Sequence, residues 1–120
     1  MTVRTRDKGV KGEREVAAIF QTAGFDVRGL ESAGDWLAVA LNGRVLHVET
    51  KRQERLRVPE WIAQAETDCP QGVAWVLAFR QSRRPWYGVQ PLAVIAEREA
   101  RIAELEDMLT VAIDKMTRRS

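Results

Sequence analysis

The sequence predicts an α/β fold in which helices flank one β-sheet. Helix-like and strand-like apolar patterns alternate along the chain in the order α-β-β-β-α-β-β-α. The dipeptide Asn42-Gly43 stands between two apolar runs, which is the strongest short signal for a β-hairpin. The 120 residues contain no linker, repeat or low-complexity segment. We therefore expect a single domain over residues 1–120, large enough to bury one core.

The first two elements are a helix and a short strand. Apolar residues at 16, 17, 19 and 20 follow the spacing of one helix face, so the stretch from Gly12 onward predicts a helix that ends at Gly24. A strand is predicted over 25–31, and Gly34 interrupts the pattern after it.

The hairpin consists of the apolar runs 36–41 and 44–51 on either side of Asn42-Gly43. A helix is predicted over 58–69, because Pro59 suits its first turn. The remaining elements are strands over 72–80 and 86–92, and then a long C-terminal helix over 92–118.

Composition limits the classes of function. Hydrophobic residues make up 45% of the chain and charged residues 30%, which is ordinary for a globular domain. Cys69 is the only cysteine, so no intrachain disulfide can form and a reducing compartment is expected. No apolar stretch is long enough for a membrane span, and the N-terminus lacks a signal-peptide core. We expect a cytoplasmic protein without membrane contact and, since no phosphate-binding glycine motif occurs, without a small-molecule cofactor.

Basic residues concentrate in three segments although the net charge is only +2. Such clusters attract DNA if the fold brings them together, and each is a solvated surface if it does not. The candidate DNA-contact residues are Arg4, Arg6, Lys8, Lys11 and Arg14 in the first segment, Arg52, Arg55 and Arg57 in the second, and Arg80, Arg83 and Arg84 in the third.

The predicted strand "RVLHVETKR" at 44–52 carries charged residues inside an apolar pattern. Alternation places His47, Glu49 and Lys51 on one face. The hairpin would bring residue 35 close to residues 50 and 51, so that Asp35 lies near Glu49 and Lys51. The oxygens of two carboxylates at one place suit Mg²⁺ or Mn²⁺, and a lysine beside them can orient a water or stabilise negative charge at a phosphate. The alternatives are an accidental ion pair at an exposed strand end and, for Asp35, a turn residue after Gly34.

These residues also resemble a known signature. Gly34-Asp35 followed by Glu49-Thr50-Lys51 resembles the motif of the PD-(D/E)xK nuclease superfamily, with Gly34 in place of its proline. The segment "KGVKGERE" at 8–15, leading to "AGFDVR" at 23–28, resembles the opening of archaeal-type Holliday junction resolvases. Residues 58–89 are similar to small phage proteins of the same superfamily. The resemblance implies a restriction-endonuclease-like mixed β-sheet flanked by helices.

The resemblance further implies a Mg²⁺- or Mn²⁺-dependent DNA endonuclease acting in recombination and repair on branched DNA. Asp35, Glu49 and the main-chain carbonyl of Thr50 would hold the metal, and Lys51 would assist the attacking water. Glu13 would hold a second metal or a water, unless it is only an acid favoured by a helix start. The accessory candidates are His47 and Gln64. Arg28, which matches a resolvase arginine with a one-residue shift, is a further candidate DNA contact.

The alternative function is a non-catalytic DNA-binding or assembly protein that keeps the nuclease fold. Intact Asp35, Glu49 and Lys51 favour the enzyme, because acids near phosphates repel DNA unless a cation lies between them.

The C-terminal helix carries a seven-residue apolar repeat. Ile95, Ile102, Leu109 and Met116 form one row, with Leu105 and Ala112 three residues after two of them and Arg98 interrupting the second row. This pattern predicts either packing of the helix on its own sheet or a homodimer seam between two chains.

Overall fold

The computed structural model describes residues 3–30 and 35–118, and the side chains of residues 3–10 lie outside the description. The element order agrees with the prediction. The elements are α1 (Val3–Thr22), β1 (Asp26–Arg28), β2 (Trp36–Val39), β3 (Val45–Arg52), α2 (Val58–Asp68), β4 (Ala74–Arg80), β5 (Tyr87–Val89) and α3 (Leu92–Arg118).

The five strands form one mixed sheet in the order β1-β2-β3-β4-β5. β3 and β4 run parallel, whereas the other three neighbouring pairs are antiparallel. The parallel pair requires a crossover connection, and α2 supplies it. The predicted α/β class with a mixed sheet flanked by helices is confirmed.

The β2–β3 hairpin differs from the prediction by one residue. Val39 pairs with Val45, and the loop closes through bonds from Ala40 N to Arg44 O and from Gly43 N to Ala40 O, both 2.8 Å. Gly43 has φ +86°, the left-handed conformation that follows the turn in a three-residue hairpin loop.

This loop sets the register of the strands. Trp36 pairs with Val48, so Asp35 lies beside the position of Glu49 rather than beside residues 50 and 51 as the sequence led us to expect. Since a shift of one residue exchanges the two faces of a strand, this register is what puts Asp35 and Glu49 on the same face.

Helix α1 covers one face of the sheet. Its buried Val16 and Ala17 pack with Trp36, Val48 and neighbouring strand residues in the main apolar core. The helix begins about nine residues earlier than predicted, because residues 3–11 contain no proline to prevent it. Gly12 permits the close approach: a Cβ there would lie 3.2 Å from Arg52 Cβ and 3.3 Å from Trp86 Cη2.

Helix α2 covers the opposite face. Its buried residues Trp61 and Ala65 pack on the face that carries the odd-numbered residues of β3 and β4. The ring centroids of Trp61 and Phe79 are 6.2 Å apart. Leu77 on the same face is fully buried. Because β3 and β4 are in register, Leu77 and Phe79 are beside Glu49 and Lys51, so α2 and the charged residues of β3 share this face.

The chain divides into two compact units, Met1–Val89 and Gln90–Ser120. The expectation of one domain over 1–120 stays a prediction. α3 has 27 residues, of which none is buried, and two ion pairs along its surface join Arg101 to Glu104 and Arg118 to Asp114. Within the described ranges, no helix has the length and apolar character needed to cross a membrane.

Candidate metal centre

Three carboxylates meet on the α2 side of the sheet. Asp35, Glu49 and Asp68 each offer one oxygen, and these three atoms all lie within 4.8 Å of one another. We call these residues the acidic group. Glu49 is buried, Asp35 is half-buried and Asp68 is exposed, so the group has one end in the protein interior and one end at the surface.

Three separate elements hold these side chains. Asp35 immediately precedes β2, where Trp36 is 1% exposed and donates from Nε1 to Thr50 Oγ1 at 3.1 Å. Glu49 lies in the middle of β3, and Asp68 is the last residue of α2. The anchored Trp36 and the central strand therefore fix two of the three positions, and the crossover helix delivers the third.

The Glu49 carboxyl is in an unfavourable environment. It is 4% exposed, and its Oε2 has no hydrogen-bond partner in the described part of the chain. Burial raises the pKa of Glu49, Lys51 opposes this increase, and the negative charges of Asp35 and Asp68 add to it. A buried carboxylate with an unpaired oxygen costs free energy unless a cation or a proton compensates it.

The donor set fits a divalent cation. Three carboxylates bring three oxygens to one place, and oxygen donors of this kind are those that Mg²⁺ and Mn²⁺ prefer. Asp68 carries its negative charge at the C-terminal end of α2, where the helix dipole disfavours an anion. A cation bound between the carboxylates would compensate both the unpaired Glu49 Oε2 and the negative charge of Asp68 at the end of α2.

Lys51 and His47 each contact one member of the acidic group. Lys51 Nζ is 3.5 Å from Glu49 Oε1, and its side chain is 19% exposed. His47 is buried, and its Nε2 contacts Oδ2 of Asp35. A histidine behind a ligating carboxylate orients it, as outer-shell partners do in metal sites. His47 is therefore placed to hold Asp35, whereas Lys51 lies beside Glu49 and is more exposed than it.

Glu13 lies outside the acidic group. It is half-buried on α1, the helix that covers the other face of the sheet. Burial raises the pKa of its carboxyl, and the negative charge of Glu49 raises it further. The two carboxylates thus influence each other electrostatically, and the role of Glu13 in a second metal or water site stays a prediction.

Asp68 was not among the residues that the sequence identified. An acid at a helix C-terminus is an unfavourable choice that could have drawn attention to it. Its approach to Asp35 and Glu49 depends on the length of the β3–α2–β4 crossover and on how α2 packs, and neither is a local property of the sequence.

The second and third basic segments converge where β3 and β4 end. Gln53 N donates to Arg80 O at 3.2 Å, and Ser82 N donates to the Glu54 carboxylate at 2.8 Å. These bonds tie the loop after β3 to the loop after β4. The exposed basic residues there are Arg55, Arg57, Arg83 and Arg84.

Arg52 and Arg80 have a different position from the other arginines. Both contact Glu15 of α1, with Arg80 Nη1 at 2.6 Å from Oε1 and Arg52 Nη1 at 3.7 Å from Oε2, and Trp86 Nε1 also donates to Oε1 at 3.0 Å. Their side chains are 18% and 25% exposed and neutralise Glu15, and their role as DNA contacts stays a prediction.

Glu15 is thus a second carboxylate whose contacts the sequence did not reveal. Burial acts to raise the pKa of Glu15, but the Trp86 hydrogen bond and the charges of Arg52 and Arg80 outweigh it, so the pKa is lowered. Together these contacts fasten α1 to the ends of β3 and β4.

The other side chains predicted to act at the site are exposed or lie outside the description. Lys11 and Arg14 are exposed on α1, and Gln64 is exposed on α2. Arg28 is exposed and donates from Nε to Asp26 Oδ2 at 3.0 Å. Arg4, Arg6 and Lys8 belong to the segment whose side chains lie outside the description. The roles of these residues, and of the Thr50 carbonyl, stay predictions.

Comparison with solved structures identifies a protein of similar fold. It is Archaeoglobus fulgidus Hjc, a Holliday junction resolvase from an archaeal hyperthermophile. The match covers 64% of this chain and 74% of that one, with 20% sequence identity and a TM-score of 0.50. No protein-family model matches the sequence, and no curated protein matches it either. The resemblance to archaeal-type resolvases is confirmed at the level of the fold.

Proposed function

We propose that this protein is a divalent-metal-dependent DNA endonuclease that acts on branched DNA. The observation that carries the proposal is the acidic group with Lys51 beside it, in a fold that also occurs in a Holliday junction resolvase. Asp35, Glu49 and Asp68 would hold Mg²⁺ or Mn²⁺, with the Thr50 main-chain carbonyl as a further candidate ligand. Glu13, which lies on α1, would hold a second metal or a water.

The reaction would be the addition of one water across a P–O bond. The water oxygen forms the new bond to phosphorus, the bond to the leaving oxygen breaks, and the protons go to that oxygen and to solvent. A bound divalent cation would activate the water and neutralise charge that develops on the phosphate.

The chain's own residues would supply orientation and charge. His47 holds Asp35 from behind, and Trp36 anchors the strand end that carries it. Lys51, as a positive group 3.5 Å from Glu49, would orient the water or stabilise negative charge on the phosphate. The exposed arginines after β3 and β4 would hold the DNA backbone through phosphate contacts, which position a duplex without reading its sequence.

Branched DNA is the substrate class to test first, because the protein of similar fold is a junction resolvase. Symmetric cuts in two strands need two centres, which leads us to include a homodimer in the proposal. A DNA substrate is also consistent with the cytoplasmic location that the composition led us to expect.

The decisive experiment incubates the protein with four-way, flap, nicked and linear DNA, with Mg²⁺, with Mn²⁺ and with a chelator. We expect cleavage of branched DNA that requires the metal. Tight DNA binding without cleavage in either metal would instead support the alternative of a non-catalytic DNA-binding protein that keeps the fold.

A further inference from the structure

Helix α3 exposes a continuous apolar stripe. Its heptad rows contain Ile95, Ile102, Leu109 and Met116 at the a positions, and Leu105 and Ala112 at d positions. Ile95 is half-buried, and the large apolar residues that follow it in the stripe are exposed, from 44% for Ile102 to 72% for Met116. A stripe of this kind on a soluble helix marks a surface for another protein. Helical propensity alone stabilises such a helix weakly in water, so packing against a partner is needed.

We propose that α3 pairs with α3 of a second copy of this chain as a parallel, two-stranded coiled coil. A repeat of seven residues keeps the stripe facing an identical helix along its whole length. The stripe also has the composition that favours two parallel strands, with β-branched isoleucine at a and leucine at d in the Ile102–Leu105 heptad. This inference does not rest on the proposed nuclease activity.

The charged residues beside the stripe support the parallel orientation. In a parallel pair, each g residue faces the e residue five positions later on the other helix. Arg101 is at g and Glu106 is at the facing e position, so two opposite-charge pairs form across the dimer. The next facing pair is Met108 with Ile113, which widens the apolar contact.

The antiparallel alternative has less favourable charges. In the antiparallel register that places Ile102 of one helix opposite Leu105 of the other, the e residues of the two helices face each other. Glu99 of each helix then lies opposite Glu106 of the other helix, which gives two like-charge pairs. Like charges at such facing positions destabilise the pair. The charge pattern therefore selects the parallel arrangement.

Arg98 is the one charged residue in the a and d rows. In a parallel dimer the two copies of Arg98 occupy the same layer, which weakens the pairing at this end. Their side chains are long enough to keep the guanidinium in water. The strongest part of the seam thus runs from Ile102 to Met116.

The first test is the molar mass of the full chain by light scattering, without DNA, at micromolar protein and in about 1 M salt. A dimer is expected, because apolar packing persists at an ionic strength that screens charge pairs. A monomer under these conditions would overturn the inference and would leave the proposed nuclease activity untouched, since activity is assayed separately.

The second test uses charge reversal at about 0.1 M salt. Arg101→Glu alone and Glu106→Arg alone each turn the facing pairs into like charges and should weaken dimerisation about tenfold. In an equimolar mixture of the two variants, every facing 101–106 pair again has opposite charges, so a heterodimer should form. Asp107→Arg is the matched control, because it makes the same charge change on the outer face.

Two results would overturn the parallel arrangement. The first is a dimer that Arg101→Glu and Glu106→Arg affect no more than Asp107→Arg does. The second is a dimer that Glu106→Arg strengthens, since that substitution removes the Glu99–Glu106 repulsion of the antiparallel alternative.

Discussion

Glu49 is buried with an unpaired carboxylate oxygen, next to two other carboxylates. A group in this position lowers the stability of the fold without a cation, and a bound cation would compensate this cost. Residues of binding sites often carry such a cost in stability.

Glu49→Gln should raise the melting temperature of the metal-free protein at neutral pH, because it removes a buried charge and its repulsion of Asp35 and Asp68. The same variant should lose metal-dependent cleavage and the increase in melting temperature that Mg²⁺ or Mn²⁺ produces in the parent. Thermal scans with metal and with chelator measure both effects. Asp26→Asn, which changes an exposed carboxylate on β1, is the control. Unaltered metal stabilisation in Glu49→Gln would exclude it as a ligand.

Lys51→Ala should slow cleavage by roughly two to four orders of magnitude, the scale of one electrostatic or acid–base group. DNA affinity should change much less, because one phosphate contact at most is lost. Single-turnover rates and binding isotherms on the same substrate separate the two quantities. A parallel loss of affinity and rate would make Lys51 a DNA-contact residue instead.

Asp68→Asn tests the ligand that only the fold revealed. Metal affinity, read from metal-induced stabilisation, should fall, while stability in chelator should be unchanged or higher since the anion at the α2 C-terminus is gone. Glu66→Gln, two residues earlier and exposed on the same helix, serves as the matched variant. Equal metal responses from the two variants would remove Asp68 from the proposed ligand set.

At the scale of elements, α1 is fastened to the sheet by a half-buried carboxylate that pairs with two arginines. Glu15 contacts Arg52, Arg80 and Trp86, and Glu13 lies two residues before it on the same helix. The close packing of Gly12 against Arg52 and Trp86 adds to this attachment. The position of Glu13 relative to Glu49 therefore depends on the Glu15 contacts.

The lowered pKa of Glu15 predicts a loss of stability in acid. Its contribution is present above the usual value of 4.5 and disappears as the pH falls through the lower pKa of the folded state. Glu15→Gln should therefore be less stable than the parent at neutral pH, and the difference should shrink as the pH falls below 4.5. Urea unfolding from pH 7 to pH 3 gives this difference, with Glu66→Gln as control. A difference that does not vary with pH would mean that the charge of Glu15 contributes nothing.

At the scale of the whole molecule, the two compact units carry different surfaces. Residues 1–89 hold the acidic group and the exposed arginines after β3 and β4. α3 holds the apolar stripe and all six acidic residues of residues 90–120. We propose that one unit binds DNA and the other binds a second copy of the chain.

Salt dependence tests the DNA surface. Replacing Arg55 and Arg83 together by Ala should weaken binding to branched and linear DNA alike, and it should reduce the slope of log affinity against log salt by about 2, one for each lost phosphate contact. Arg44→Ala at the β2–β3 turn is the control. A change confined to one DNA structure would mean that these arginines recognise shape rather than the phosphate backbone.

The sequence alone determined the order of the elements, the hairpin and the apolar repeat of α3, because these depend on periodicity and on turn residues that are local in the chain. It also identified Asp35, Glu49 and Lys51 as neighbours, since they lie on strands joined by one short turn. The prediction erred by one residue in the register, because a three-residue loop ending at Gly43 and a two-residue turn have the same Asn-Gly signature.

Only the tertiary structure decided which other charges join these residues. Asp68 reaches the acidic group through the packing of α2, and Glu15 meets Arg80 across 65 positions of sequence. The same packing separates the arginines that neutralise Glu15 from those exposed after β3 and β4. Such contacts depend on how the helices pack on the sheet. The pattern of residues within each segment does not determine this packing.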